Sequence, residues 1–165
     1  MNSPMSRLAL LIARFSLSAW VGAAALFVVN GISQVTHPAF DSVVRNHLVV
    51  LRFPAYYLFG FTLVSLGLLG ILASGRELLR SRWIRIAAAA LTATALAVML
   101  IDYLAIYRPL EAMITPPDGA RPAEFVSYHE ASKLINLVHV GFVLVAALLI
   151  CLPPRSGPVV SANSV

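Results

Sequence analysis

Charge is scarce in this chain, and cysteine is all but missing. Only 12 % of the 165 residues are Asp, Glu, Lys or Arg, about half the share of an ordinary soluble domain. Cys151 stands alone, which excludes a disulfide within the chain and any CxxC redox or metal motif. No MxxM, HxxxH or HExxH spacing occurs, and no glycine-rich phosphate loop. Zincin and phosphate-loop chemistry is thereby excluded, and no motif marks an activated nucleophile. Enzymatic activity therefore ranks behind the membrane roles described below.

Apolar residues fill the space that charge leaves. They make up 59 % of the chain and give it a mean hydropathy of +0.85, far outside soluble usage. The stretch WIRIAAAALTATALAVMLIDYLAIY, residues 83–107, is uncharged from Ile86 to Ile101. As a helix it reaches about 37 Å, enough to cross a ~30 Å hydrocarbon core with some tilt. Small residues at Ala87, Ala90, Thr94 and Ala97 predict a face for close helix approach. Three further runs have similar length and character, so helices are expected over about 8–32, 49–73, 83–107 and 130–152. The first, with Gly22 to Ala25 as a packing face, is longer than a signal-peptide core and lacks a small-x-small cleavage pattern. It is read as a retained helix. Arg14, two turns in, is expected to snorkel to the headgroups.

The connections are short enough for sequential packing. The expected fold is all-α, an integral membrane four-helix bundle running up-down-up-down as one domain over 1–152. Residues 153–165 form an expected disordered cytoplasmic tail. A short interfacial helix is expected over 38–47, where Phe40, Val43, Val44 and Leu48 recur at helical spacing. Tyr56 and Tyr57 are placed at headgroup depth, and Trp83 anchors the opposite interface. The longest polar loop runs from Arg108 to Glu130; Pro109 to Met113 can add one helical turn before its irregular PPDGARP centre.

Polar residues inside the spans carry what functional signal there is. Asp102 lies about five residues from the outer end of the third span, and a carboxylate there must face protein, water or headgroups. On the fourth span Lys133, Asn136 and His139 come to similar depth, with Asn30 available from the first. Three readings of Asn30, Asp102, Lys133, Asn136 and His139 stay open: a structural lock built on an Asp102–Lys133 pair, a solute or ion site, or a chance arrangement. The corresponding function classes are a small binding or transport protein with an outer-half polar cavity, and an accessory protein whose polar cluster only locks packing. A copper or zinc site would draw on His37, His47 and His129. Haem ligation between facing helices has only His139 as a deep histidine.

Three segments carry a likeness. Trp20 and Gly22 are followed by Phe27, Pro38 and Phe40; YLAIYRPLEAM places Tyr107, Pro109 and Glu111; and FVSYHEASKLINLVHVGFVLV places Phe125, His129, Ser132, Asn136 and Leu137. Over residues 8–152 the chain resembles the small four-helix membrane proteins typified by transmembrane protein 205, distantly similar to the copper-resistance protein D group. That resemblance implies a four-helix membrane fold. Through the wider group it also implies an association with copper uptake or haem chemistry.

The net charge of +5 is the remaining question. Arg76, Arg80, Arg82 and Arg85 crowd one short loop, with Arg7, Arg14 and Arg155 on the same side. That is the pattern of a cytoplasmic membrane loop, so the lipid bilayer is the expected partner and nucleic acid is not. A homo-oligomer or a membrane partner is compatible with the pattern. Both termini are expected in the cytoplasm of a bacterial cell, with the protein in its inner membrane. A cysteine replacing Gly75 should then be shielded from an impermeant thiol reagent in intact cells, while one replacing Gly119 is labelled. The opposite labelling would invert the topology.

Overall fold

The computed structural model of the chain describes residues 3–75, 78–79, 81–119 and 121–153. Arg76, Arg80, Arg155 and the expected tail beyond Pro153 lie outside the described residues. Four helices are long and apolar enough to cross a membrane: α1 (Pro4–Thr36), α2 (Ser42–Ala73), α3 (Arg82–Met113) and α4 (Phe125–Cys151). No strand occurs among the described residues. The protein is an all-helical integral membrane bundle.

Local chemistry explains the boundaries. Ser3, Asp41 and Ser81 cap α1, α2 and α3 by accepting from the backbone N–H groups of Ser6, Val44 and Ile84. Proline follows the last turns of α1 and α4, at Pro38 and Pro153, where the preceding residue is pushed out of helical geometry. All four helices outrun their expected spans. The interfacial helix expected over 38–47 does not exist separately: from Ser42 its residues are the first turns of α2, because nothing between Asp41 and Arg52 breaks a helix. Pro54 lies inside α2 without ending it. Likewise α3 runs past Tyr107 to Met113 through a π-helical turn at Tyr103–Tyr107. Pro109, which has no N–H to donate, follows that wider turn directly.

Core residues recur at alternating steps of three and four. On α1 they are Leu10, Ala13, Leu17, Trp20 and Ala24; on α2, Tyr57, Gly60, Val64, Gly67 and Ile71; on α3, Ala88, Thr92, Ala95, Met99 and Asp102. This is the spacing of left-handed helix packing. After Asp102 the next buried position is Tyr107, five residues on. The π-turn supplies the extra residue, so Tyr107 instead of Ile106 returns to the interior. The tight pairs are α1 with α2 and α3 with α4, and lighter α2–α3 and α1–α4 contacts close the ring. Elsewhere large apolar side chains such as Leu11, Phe15, Leu51, Leu58 and Leu137 are exposed, as lipid-facing residues are.

Two expected packing faces are corrected. Ala87, Ala90, Thr94 and Ala97 point outward; the packed face of α3 is the one through Ala88 and Ala95. Of the expected α1 face Ala24 is buried and Ala23 packs beside it, but Gly22 has open space around it and Ala25 is exposed; α1 also presses larger residues into glycine notches on α2. A Cβ at Gly60 would lie 2.6 Å from the Trp20 ring, and one at Gly67 would lie 2.2 Å from Leu17. Arg14 does not simply snorkel. Its Nε donates to the Ile150 carbonyl at 2.9 Å, while Arg85 donates to the Ser74 carbonyl at 3.2 Å. Two guanidinium groups thus satisfy carbonyls at the ends of α4 and α2, where the helix dipole favours cations. Trp83 stays exposed under the Arg82 guanidinium, 4.8 Å from the ring centre.

The glycine notches give a direct test. At Gly70 a Cβ would meet the Ala9 carbonyl oxygen at 2.6 Å and the Ala13 Cβ at 2.9 Å, and a backbone atom cannot swing aside. Gly70→Ala should cost roughly 1–3 kcal/mol through overpacking, whereas Gly22→Ala should be neutral or slightly stabilising. Unfolding both variants in lipid nanodiscs checks the contrast; equal effects would mean that α1 and α2 do not meet at Gly70.

Candidate functional site

The bundle encloses a set of polar side chains where lipid offers none a partner. Asp102, on α3, is fully buried at 0 % exposure. Because α3 continues to Met113, Asp102 sits eleven residues inside the helix instead of the expected five. His139 lies fourteen residues into α4, also deeper than expected. The cluster therefore lies nearer the middle of α3 and α4 than expected.

Asn136 is its hub. The side-chain Nδ2 donates to Asp102 Oδ2 at 2.9 Å and to the Ser132 carbonyl at 2.9 Å. Its Oδ1 accepts from the Tyr56 hydroxyl at 2.8 Å and faces His139 Nε2 at 3.1 Å. With Nδ2 committed to Asp102, Oδ1 can only accept, so His139 Nε2 carries the hydrogen. Tyr57 donates a second hydrogen bond to Asp102 Oδ2 at 2.6 Å. One network thus joins α2, α3 and α4. Its two tyrosines are adjacent in sequence yet reach different partners, Tyr57 toward α3 and Tyr56 toward α4.

Helix α1 contributes Trp20, 0 % exposed. Its ring lies 4.8 Å from Tyr56 and stacks on His139 at 6.3 Å. Tyr103 and Tyr107 pack on Tyr57 at 5.0 and 4.8 Å, closing the network toward the α3 side. Two polar atoms inside this enclosure have no hydrogen-bond partner: Asp102 Oδ1 and Trp20 Nε1.

Of the five residues expected to cluster, three meet: Asp102, Asn136 and His139. Lys133 does not join them. It is more than half exposed and pairs with Glu130 at 2.6 Å, one turn away on the same helix. The expected Asp102–Lys133 pair is absent, since a long cation gains more at the surface than by desolvation. Asn30 is exposed on α1. In their place stand Tyr56, Tyr57 and Ser132. The two tyrosines are core donors and do not lie at headgroup depth. The signal that marks them is the Tyr57–Gly60–Val64–Gly67–Ile71 spacing, which puts Tyr57 on the glycine-notched interior face, where a buried hydroxyl needs an acceptor.

The remaining expected positions have local roles. Tyr107 is buried and donates to Glu111 at 2.8 Å across one turn, with Pro109 between them. His37 Nδ1 accepts from the Ala39 N–H at 3.2 Å, His47 Nδ1 lies 2.9 Å from the Val43 carbonyl, and His129 stacks on Phe125 at 5.8 Å. The structure does not bring these histidines together, and no group of three or more His, Cys, Asp or Glu that could hold a metal occurs among the described residues. Asn46, which sequence reasoning passed over, is buried. It donates to the Pro117 carbonyl at 2.8 Å and accepts from Arg121, fastening the polar loop between α3 and α4 to the first turns of α2.

Fold and cluster together define the class: an integral membrane four-helix bundle with a buried polar hydrogen-bond network. Comparison with protein-family models, characterised proteins and solved structures finds no match.

The hub predicts an asymmetry between two neighbouring residues. Asn136→Ala strands Tyr56 and His139 and leaves Asp102 with Tyr57 as a single donor, each unsatisfied buried group costing about 1–3 kcal/mol. A loss of about 3 kcal/mol or more is expected. Lys133→Ala breaks only an exposed pair worth about 0–1 kcal/mol. Unfolding measurements in nanodiscs that found Lys133 the costlier of the two would break this assignment.

Proposed function

We propose that the protein binds a proton or small hard cation at Asp102, in an occluded site in the outer half of the bundle, as a step of binding or transport. The carrying observation is Asp102 Oδ1: a wholly buried carboxyl oxygen with no donor. Among the described residues the one ion pair is Lys133–Glu130, so no basic side chain neutralises Asp102. An ionised carboxyl there lacks a countercharge, and a protonated one lacks either a donor or an acceptor at Oδ1. A small metal cation at that oxygen supplies the missing countercharge, and a proton removes the charge itself. The hydroxyls gathered nearby, on Tyr57 and Ser132, offer oxygen, which suits hard cations better than copper.

Magnitudes support a role beyond packing. Asp at mid-helix costs roughly 2.5–3.5 kcal/mol to place in a membrane. Interhelical hydrogen bonds in lipid are each worth about 0.6 kcal/mol and at most about 1.7. Asp102 receives two, from Tyr57 and Asn136, which at best breaks even. A second reading, a lock that only fixes helix packing, is favoured by the way one network ties α2, α3 and α4. The likeness to the transmembrane protein 205 group, the cytoplasmic placement of both termini and the bacterial inner membrane belong to the same proposal.

Asp102→Asn separates the two readings, since it keeps the shape and the acceptor at one oxygen while removing the charge. In nanodiscs the wild-type melting temperature should shift with pH at fixed sodium, or with sodium at fixed pH. The variant should fold and lose that response. Identical responses in both proteins would leave Asp102 a packing residue.

A further inference from the structure

Between α1 and α2, away from the Asp102 network, the surface opens into a groove of about 620 Å³. Its α1 wall is Trp20, Ala23 and Phe27, and its α2 wall runs from Arg52 through Tyr56 and Phe59 to Thr62. Trp20 and Thr62 close the inner end. Arg52 stands at the outer end, where it donates to Gln34, two residues before α1 stops at Thr36. Ten residues of helix separate Arg52 from Thr62, about 15 Å of apolar and aromatic wall. Leu58 and Phe59 on its rim are largely exposed, so the groove faces the lipid along its length.

Arg52 is poorly used by the protein alone. Its guanidinium lies over the Phe27 ring at 4.8 Å, and Nε is buried without a partner. Among the described residues no carboxylate pairs with it. A half-buried guanidinium at the mouth of an apolar channel is complementary to a molecule with an anionic head and a hydrocarbon tail. Arg is also the side chain whose fork fits a phosphate. Its height, beside the last turn of α1, is that of the headgroups. We propose that this groove holds one acyl chain of an anionic phospholipid, with the lipid phosphate on Arg52.

The inference does not depend on what Asp102 binds. It touches that site at two residues: Trp20 lines the groove and stacks on His139, and Tyr56 lines it and donates to Asn136. A seated chain would therefore cover the outward side of Tyr56 and hold its ring against Trp20.

Native mass spectrometry of the full chain, released from detergent with equimolar phosphatidylglycerol and phosphatidylcholine, tests this. One retained phospholipid per chain is expected, with about a tenfold preference for phosphatidylglycerol, whose phosphate, unlike that of phosphatidylcholine, is not already neutralised by a quaternary ammonium on the same head. Arg52→Lys should keep the preference and Arg52→Gln should lose it. Ala55→Phe, which fills the groove beside Arg52, should lose the bound lipid whatever its head. Equal retention of the two lipids by the wild-type protein overturns the proposal, and that measurement needs no variant to fold. So does retention of a free fatty acid in place of phospholipid, or an Arg52→Gln protein that retains phosphatidylglycerol as the wild type does.

Discussion

The burial of one carboxyl group in a medium without water constrains most of this bundle. Asp102 has no exposed surface, so every stabilising contact must come from a neighbouring helix. Tyr57 and Asn136 supply donors to the same oxygen. Asn136 can serve because an amide gives and accepts at once: Nδ2 faces Asp102 while Oδ1 takes the Tyr56 hydroxyl and the His139 N–H. A lysine at that position could donate but could not accept from Tyr56, and a serine has one hydrogen to give. The amide lets a single side chain join α2, α3 and α4.

Close approach of the backbones makes that reach possible. The glycines of α2 let Trp20 and Leu17 sink into its surface, bringing α1 near enough for Trp20 to stack on His139. On α3 the π-turn returns Tyr107 to the face that Asp102 occupies, where it packs on Tyr57. A regular helix would present Ile106 there and leave the carboxyl without part of its aromatic cover. Single π-turns inside α-helices are frequent at functional sites. Here it sets register as well as shape.

Composition and run length made the four crossings legible, because an apolar stretch of that length has few other uses. The depth of Asp102, Asn136 and His139 was legible in outline for the same reason. Helix ends were less so: the segment 38–47 was set apart from the second span, and the third was ended at Tyr107 with only an optional turn over Pro109 to Met113, whereas both helices run on without a break. The wrong face of α3 was chosen because small residues occur on both sides, at Ala87, Ala90, Thr94 and Ala97 as well as at Ala88 and Ala95. Lys133 was misjudged by placing charge complementarity ahead of desolvation. A cation at i+3 from Glu130 finds a partner without leaving the surface. Tyr56 and Tyr57 were read as interface anchors because tyrosine is common there; only the heptad spacing shared with Gly60 and Gly67 turns Tyr57 inward.

Tyr56 is where the closed interior and the lipid-facing surface meet. It is 8 % exposed, lines the groove below Arg52, and holds Asn136 by its hydroxyl. Breaking the Tyr56–Asn136 hydrogen bond frees an oxygen on Asn136 without disturbing the Tyr57–Asp102 bond, because the two tyrosines bind different members of the network. The carboxyl can therefore keep one donor while its neighbour turns, which lowers the barrier to exchange relative to a cluster that must open as a whole. A network built only to lock helices would gain nothing from such a division. On the proposed reading of Asp102 as an occluded site that exchanges its occupant, the adjacent tyrosines provide that division within a single turn of α2.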